Sequence, residues 1–252
     1  KDAFEELEMG AQCSCFLLFD ECHKLVKDAD YRSDITLPID DFFKFDQKAL
    51  VSATPIELND PRFKEQNFQT IEIQPTFDYK KEIWLHHTNN TLQAFKNVLS
   101  KLNNEEAAPL PICVFINSTD IIYSLMKQLD LLEESAVFCA PKSVDKLKKN
   151  RFCNVYEQWN KDKMKRYNFF TSRFFNAVDM ELEEQPHVIM LTDVYFAEHT
   201  MIDPYTDAIQ IVGRFRNGVS SITYISNTKK GLPQRSKEEI KGYLICSKEI
   251  YR

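Results

Sequence analysis

Phe16-Leu17-Leu18-Phe19-Asp20-Glu21-Cys22-His23 sets four large apolar residues directly against two carboxylates. The run is short and lacks polar alternation, so it predicts a strand buried on both faces, as in a parallel sheet. In open α/β sheets, ligands sit outside the carboxyl ends of the strands, where Asp20 and Glu21 fall. An acidic pair there suits a hydrated Mg²⁺ held by one carboxylate while the other polarises a water. A strand capped by polar residues before a turn has the same pattern, and a bare Asp-Glu pair does not separate the two.

A second apolar strand, Ala49-Leu50-Val51, runs into Ser52-Ala53-Thr54-Pro55. Far downstream lies Gln210-Ile211-Val212-Gly213-Arg214-Phe215-Arg216. Taken in order, the three stretches resemble motifs II, III and VI of the superfamily 2 (DEAD/DEAH-like) helicases. The resemblance implies an α/β fold of tandem RecA-like parallel sheets flanked by helices, the first incomplete, with ATP and Mg²⁺ in the cleft between them. It implies that Asp20 holds Mg²⁺ and that Glu21 positions or deprotonates the attacking water. Both roles fit phosphoryl transfer, where positioning and charge compensation dominate. His23 corresponds to a residue coupling the site to the second domain, although a lone His is more often a structural hydrogen-bonder. Ser52 and Thr54 match the motif that ties nucleotide state to the strand-binding groove.

The bulk numbers place limits on this reading. At 252 residues, 43% hydrophobic and 28% charged, the chain can bury real cores in one or two domains. No apolar run approaches membrane-spanning length and no signal peptide opens the chain, so no membrane partner is expected. Seven scattered cysteines, with Cys13 and Cys15 lacking a second pair, read as reduced thiols in a cytoplasmic protein rather than a zinc site. The net charge of −6 does not favour nucleic acid, but ten Lys or Arg face three acids between Lys142 and Arg173. Lys148, Lys149 and Arg151 in that segment are candidates for phosphate contacts, with a solvated basic face as the alternative.

Pattern along the chain divides it into residues 1–76, 77–228 and 229–252. Residues 1–12 have a helical tendency and begin without Met, as the inside of a longer protein would. Ile71 and Ile73 alternate with polar residues and predict a strand over Gln69–Gln74, and Pro75–Asp78 marks the boundary. Strands are then expected over 82–87, 112–116, 136–139, 169–171, 188–191 and 222–225. Helices over 91–102 and after Asn117 or Ser118 carry apolar residues at helical spacing. Alternating strand and helix argues for a parallel sheet with helices on both faces. In the tail, Ser236 and Glu239 form a capping-box signature. Its helix runs to Arg252 without a C-cap, so a chain cut at both ends is expected.

Asp203-Pro204 reads as a helix start and Asn217-Gly218 as its stop. Gln210 and Arg214 then share a helix face, and Arg214 matches the family's arginine finger. Arg216 stands about 200° around an ideal helix from Arg214, at roughly 100° per residue, and reaches the cleft only if the last turn loosens. Thr171-Ser172-Arg173 through Ala177-Val178-Asp179 resembles motif V, which implies nucleic-acid contacts from Thr171 and Ser172 and a nucleotide contact from Asp179. Ala177 stands where a glycine is usual. Asn117 and Ser118 lie where motif IV would be, at a helix N-terminus suited to a phosphate oxygen, although capping explains them as well. No G-x-x-x-x-G-K-[ST] loop occurs, and the five glycines leave no substitute. Family order puts that loop upstream of residue 1. The expected activity is an ATP-dependent nucleic-acid helicase or translocase, with DNA favoured over RNA by the Gln-x-x-Gly-Arg form. The alternative is a non-catalytic nucleic-acid-binding module on the same fold.

Overall fold

The computed structural model describes residues 15–27, 38–54, 60–74, 76, 80–104, 109–176, 178–229, 231 and 234–250. Expectations for residues 1–12, for Pro55 and for Ala177 lie outside them. The chain divides into two compact units, Lys1–Lys80 with Pro204–Gln210, and Lys81–Asp203 with Ile211–Arg252. Both are α/β units with parallel sheets and flanking helices.

In the first unit, β1 (Phe16–Phe19) pairs in parallel with β2 (Gln47–Leu50), Phe16 opposite Gln47 and Phe19 opposite Leu50. Short helices α1 (Lys24–Lys27), α2 (Pro38–Phe42) and α3 (Pro61–Glu65) surround them. Burial is concentrated in an aromatic cluster rather than in the strands. Phe63 meets Phe43 edge-on at 4.9 Å and Phe68 at 5.0 Å, with Phe42 and Phe45 beside them fully or almost fully buried. Two sequence expectations fail here. The strand expected to be buried on both faces leaves Phe16 60% and Leu18 53% exposed, because the face that these alternate residues share is left open by the described residues. Gln69–Gln74 is not a strand, and Ile71 and Ile73 stand 82% and 89% exposed. Alternation alone makes no strand without a neighbour to take up its backbone hydrogen bonds.

The second unit contains β3 (Trp84–His87), α4 (Thr91–Asn103), β4 (Ile112–Phe115), α5 (Thr119–Gln128), β5 (Ser135–Phe138) and α6 (Pro141–Lys149). It continues with β6 (Val155–Tyr156), β7 (Tyr167–Phe170), β8 (His187–Thr192), β9 (Ser221–Ser226) and α8 (Lys237–Ile250), while the first four residues of α7 (Asp207–Gly213) are counted with the first unit and its last three with the second. Seven parallel strands order as β3-β9-β8-β4-β7-β5-β6. Every residue of β4, β5, β7 and β8 is buried, as a parallel sheet covered on both faces requires.

Strand register explains the two faces. On one, Val114, Val137, Phe169 and Ile189 pack with Phe95, Leu99, Ile122, Leu125, Met126 and Leu147 from α4, α5 and α6. On the other, register sets Phe115 and Phe138 on either side of Phe170, and Tyr156 beside Phe138. The rings form a row, stacked at 5.0 Å between Phe115 and Phe170 and 4.9 Å between Phe170 and Phe138. Phe174, Phe175 and Phe215 close over it edge-on. This row anchors the segments that carry the polar groups below.

The capping box is present in full, Ser236 N–H to Glu239 Oε2 at 2.7 Å and Glu239 N–H to Ser236 Oγ at 3.1 Å. The helix expected from Asp203-Pro204 to Asn217-Gly218 is shorter, because residues 204–206 form a turn and α7 runs only from Asp207 to Gly213. Phe215 is drawn into the aromatic row, which pulls the chain out of helical geometry after Gly213. The positive φ of Gly218, 86°, then makes the turn into β9. No described helix is long and apolar enough to cross a membrane.

Candidate functional site

In the first unit, parallel pairing carries past the strand ends. Val51 N–H donates to Phe19 C=O at 3.0 Å and Cys22 N–H to Val51 C=O at 3.1 Å. The two sequence-distant stretches Asp20–His23 and Ser52–Thr54 therefore lie side by side. Glu21 adopts a left-handed φ of 54°, a costly conformation for a residue with a long side chain. Asp20 Oδ1 accepts the Glu21 N–H at 2.8 Å and helps hold that turn.

His23 is buried to 1% exposure, with Nδ1 2.9 Å from Ser52 Oγ and 3.2 Å from Glu21 Oε2. Ser52 Oγ also accepts the Thr54 N–H at 3.1 Å. Gln210, which belongs to this unit, donates Nε2 to Glu21 Oε2 at 3.3 Å. Burial, helped by the charges of Glu21 and Asp20, pushes the Cys22 thiol up and outweighs a backbone hydrogen bond that lowers it, so this cysteine is no ready nucleophile.

Asp20 itself is exposed. Among the described residues no group of three or more metal-ligating side chains converges. A single exposed carboxylate fits Mg²⁺, which keeps several waters and takes one or two carboxylates plus substrate phosphates.

In the second unit, β4 leads towards β5 and β8 towards β9, in opposite directions along the sheet. A crevice opens between the carboxyl ends of strands that part in this way. A cleft of about 280 Å³ lies there, lined by Asn117, Ser118, Ser143, Thr171, Arg173 and His199 among others. Ser118 is the N-cap of α5, accepting the Ile121 N–H at 3.4 Å. Asn117 instead spans the cleft, donating Nδ2 to His199 C=O at 3.0 Å and accepting the Ser172 N–H at 3.4 Å. The start of α6 opens on the same cleft with Ala140 as N-cap and no side-chain cap. Two helix N-termini, hydroxyls and one guanidinium line this cleft together with the carboxylate of Asp120, which is paired with Lys146 at 2.6 Å, and helix N-termini favour anions.

Asn117, Ser118, Thr171 and Ser172 are thus brought together. Lys148, Lys149 and Arg151 are not among them. They lie exposed at the far end of α6, about 13 Å away at 1.5 Å per residue. Cations in a last turn are favoured by the helix dipole, which gives Lys148 and Lys149 a structural reason to be there.

Arg214 and Arg216 lie elsewhere in this unit. An isolated parallel bridge joins Met180 to Phe215, with Met180 N–H to Arg214 C=O at 2.8 Å and Arg216 N–H to Met180 C=O at 3.3 Å. After Gly213 the chain leaves the α-helix through tight turns, Arg214 N–H donating to Ile211 C=O at 3.3 Å and Phe215 N–H to Val212 C=O at 3.2 Å. Phe215 turns into the core, and the arginines on either side of it share the outer face. Both meet Asp179, Arg216 Nη2 at 2.8 and 2.9 Å and Arg214 Nη1 at 3.4 Å. The expected separation of the two arginines around a helix is therefore corrected, as is the shared helix face of Gln210 and Arg214.

Sequence reading missed Ser143, Arg173 and His199 in the cleft, and Asp193 at the end of β8. Burial opposes the charge on Asp193, but hydrogen bonds from Asn227, Thr91 and the Phe196 and Tyr195 N–H groups outweigh it and hold the carboxyl below its ordinary range. Its signal was present, an acid two residues after the apolar run Val188–Leu191, with Thr192 between them. Pro141 after Ala140, with Val144 and Leu147 three apart, was the unread signal for α6.

No protein-family model matches the chain, and no curated protein sequence matches it. Among solved structures it is similar to the C-terminal domain of the DEAD-box protein Dbp5, at 11% identity and a TM-score of 0.35, over 68% of this chain and 84% of that one.

Proposed function

We infer that this chain is part of a nucleic-acid-dependent ATPase of the superfamily 2 helicase type, one that couples ATP hydrolysis to movement on nucleic acid. The observation that supports this most is the meeting of Asp20–His23 with Ser52–Thr54 at adjacent parallel strand ends, with His23 touching both Ser52 and Glu21. That is the pairing the order of the sequence motifs implies.

In this reading Asp20 is the carboxylate for Mg²⁺, which when bound compensates charge on the phosphates of ATP. Glu21 takes the proton of the attacking water, and its strained backbone fixes the carboxylate's direction. His23 and Ser52 pass a change at Glu21 on to the Ser-Ala-Thr segment. Gln210 orients Glu21 through its amide. Arg214 and Arg216 compensate charge that develops on the transferred phosphoryl group. Asn117, Ser118, Thr171 and Ser172, with Arg173, hold the phosphate backbone of nucleic acid, which positions without reading sequence. DNA is the proposed track, on the Gln-x-x-Gly-Arg form.

A glycine-rich loop with its lysine, which cradles the phosphates, is to be supplied by sequence outside these 252 residues. The 252-residue chain alone should therefore bind ATP poorly and hydrolyse essentially none. A chain extended upstream to include such a loop should show hydrolysis stimulated by DNA more than by RNA of equal length. If no Gly-Lys-Ser/Thr lies within a domain's length ahead of Lys1, the motor reading fails and a non-catalytic binding module takes its place.

A further inference from the structure

Asn176 and residues 178–185 are stitched alongside residues 214–217 by more than the Met180 bridge. Asn217 Nδ2 donates to Leu182 C=O at 2.7 Å, Gln185 Nε2 to Asn217 C=O at 2.8 Å, and Arg214 Nη1 to Asn176 C=O at 3.2 Å. Met180 is fully buried and Phe215 4% exposed, so the core fixes this register from below. The register sets Asp179, one residue before the bridge, against the arginines one residue before and one after it. The guanidinium of Arg216 takes both carboxylate oxygens, and Arg214 shares one of them. Two guanidinium groups around one carboxylate reproduce how arginines grip a phosphate group. Asp179 and Arg216 are each about half exposed, so the arrangement is open to an incoming anion.

We propose that Asp179 masks an anion site. Its carboxylate occupies the place between Arg214 and Arg216 that a phosphate group of a nucleotide takes on arrival, and the arginines stay engaged until phosphate displaces it. This rests on the reading above that the two arginines serve phosphates, and it gives Asp179 a different part from the direct nucleotide contact that the motif resemblance implies. Asp179 is a competitor, which lowers the affinity of the empty site for polyphosphate and keeps the arginines from gripping other anions. The masking is set by short-range charge, so it weakens as salt rises.

The test is a titration of the 252-residue chain with inorganic tripolyphosphate, which needs neither an adenine pocket nor hydrolysis. Asp179→Asn should tighten tripolyphosphate binding by about two- to fivefold, the scale of exposed ion pairs. Asp179→Glu should leave it near wild type. Glu181→Gln removes an equal charge two residues away and should give a smaller gain. Adding Arg214→Ala and Arg216→Ala to Asp179→Asn should erase the gain. Unchanged or weaker binding by Asp179→Asn, in a variant whose circular dichroism matches wild type, overturns the proposal. So does a gain that survives loss of both arginines, or one that Glu181→Gln equals. The motor reading is judged separately, by nucleic-acid-stimulated hydrolysis in the extended protein, so either idea can fail without the other.

Discussion

The two units meet solvent at the same architectural place, the carboxyl ends of parallel strands, and carry opposite chemistry there. In the first unit that edge presents two carboxylates, a buried histidine and a serine, held by a left-handed turn at Glu21. In the second it presents hydroxyls, amides, two helix N-termini and Arg173, with the Asp120 carboxylate neutralised by Lys146. The support differs just as much. The first edge grows from two strands whose large residues Phe16 and Leu18 are more than half exposed, while the second grows from a seven-stranded sheet buried through its centre. The contrast teaches that the chemistry of a strand end is set by the few residues after the strand, while its rigidity is set by what lies beneath the strand.

The chemical half of that comparison is tested most severely at Glu21. In the extended protein Glu21→Gln should slow hydrolysis by about 10²–10⁴, the range for loss of a general base, while leaving ATP binding nearly intact. Single-turnover kinetics measure it, and a variant within a few-fold of wild type removes Glu21 from the chemistry.

The structural half predicts unequal costs for the same truncation. Phe170→Ala should cost about 3–5 kcal/mol of unfolding free energy, as for a fully buried ring. Phe16→Ala should cost no more than roughly 0.5 kcal/mol, as for a surface position. Urea denaturation of the chain reads both, and equal losses would break the distinction between thin and deep support.

The cleft of the second unit should be separable from its basic helix end. Arg173→Gln should flatten the plot of log K for DNA binding against log salt by about 0.7–0.9, one phosphate contact. The triple change of Lys148, Lys149 and Arg151 to Gln should flatten it less, since those residues do not line the cleft. A larger change from the triple variant would move the phosphate path from the cleft to the far end of α6.

The smallest effect concerns pH. Hydrogen bonds depress the folded-state pKa of Asp193, so the stability it contributes is full above the unfolded Asp value of about 3.9. That stability is lost as pH falls through the folded value. Between pH 5 and 3, thermal unfolding of wild type should therefore decline more steeply than that of Asp193→Asn. Parallel curves would mean that the Thr91 and Asn227 contacts do not depend on the charge.

Much of the fold was legible because strands and helices here have strong local signals. Ser236 and Glu239 satisfy each other across a single turn, and α5 begins at its own N-cap, so each was readable within a few residues. The acidic edge was readable for the same reason, since its residues follow their strands directly. What was not legible depends on distant partners. Whether Phe16 and Leu18 are covered, or Ile71 and Ile73 joined to a sheet, depends on what stands beside them and not on their own pattern.

By itself, then, the sequence determined the parallel α/β class, the larger strands and helices of the second unit apart from α6, and the polar residues that end the key strands. These follow from side-chain periodicity and from caps, which act over one or two turns of chain. Only the tertiary structure decided that Phe115, Phe170 and Phe138 form one stacked row, that His23 joins Glu21 to Ser52, and that Arg214 and Arg216 converge on Asp179. The last is the clearest case. A helix was expected through Arg216, but the burial of Phe215 against a row of rings contributed by other strands outweighs the local preference for continuing the helix. Once the helix gives way to tight turns around Phe215, the directions of both arginines are no longer those of a helix.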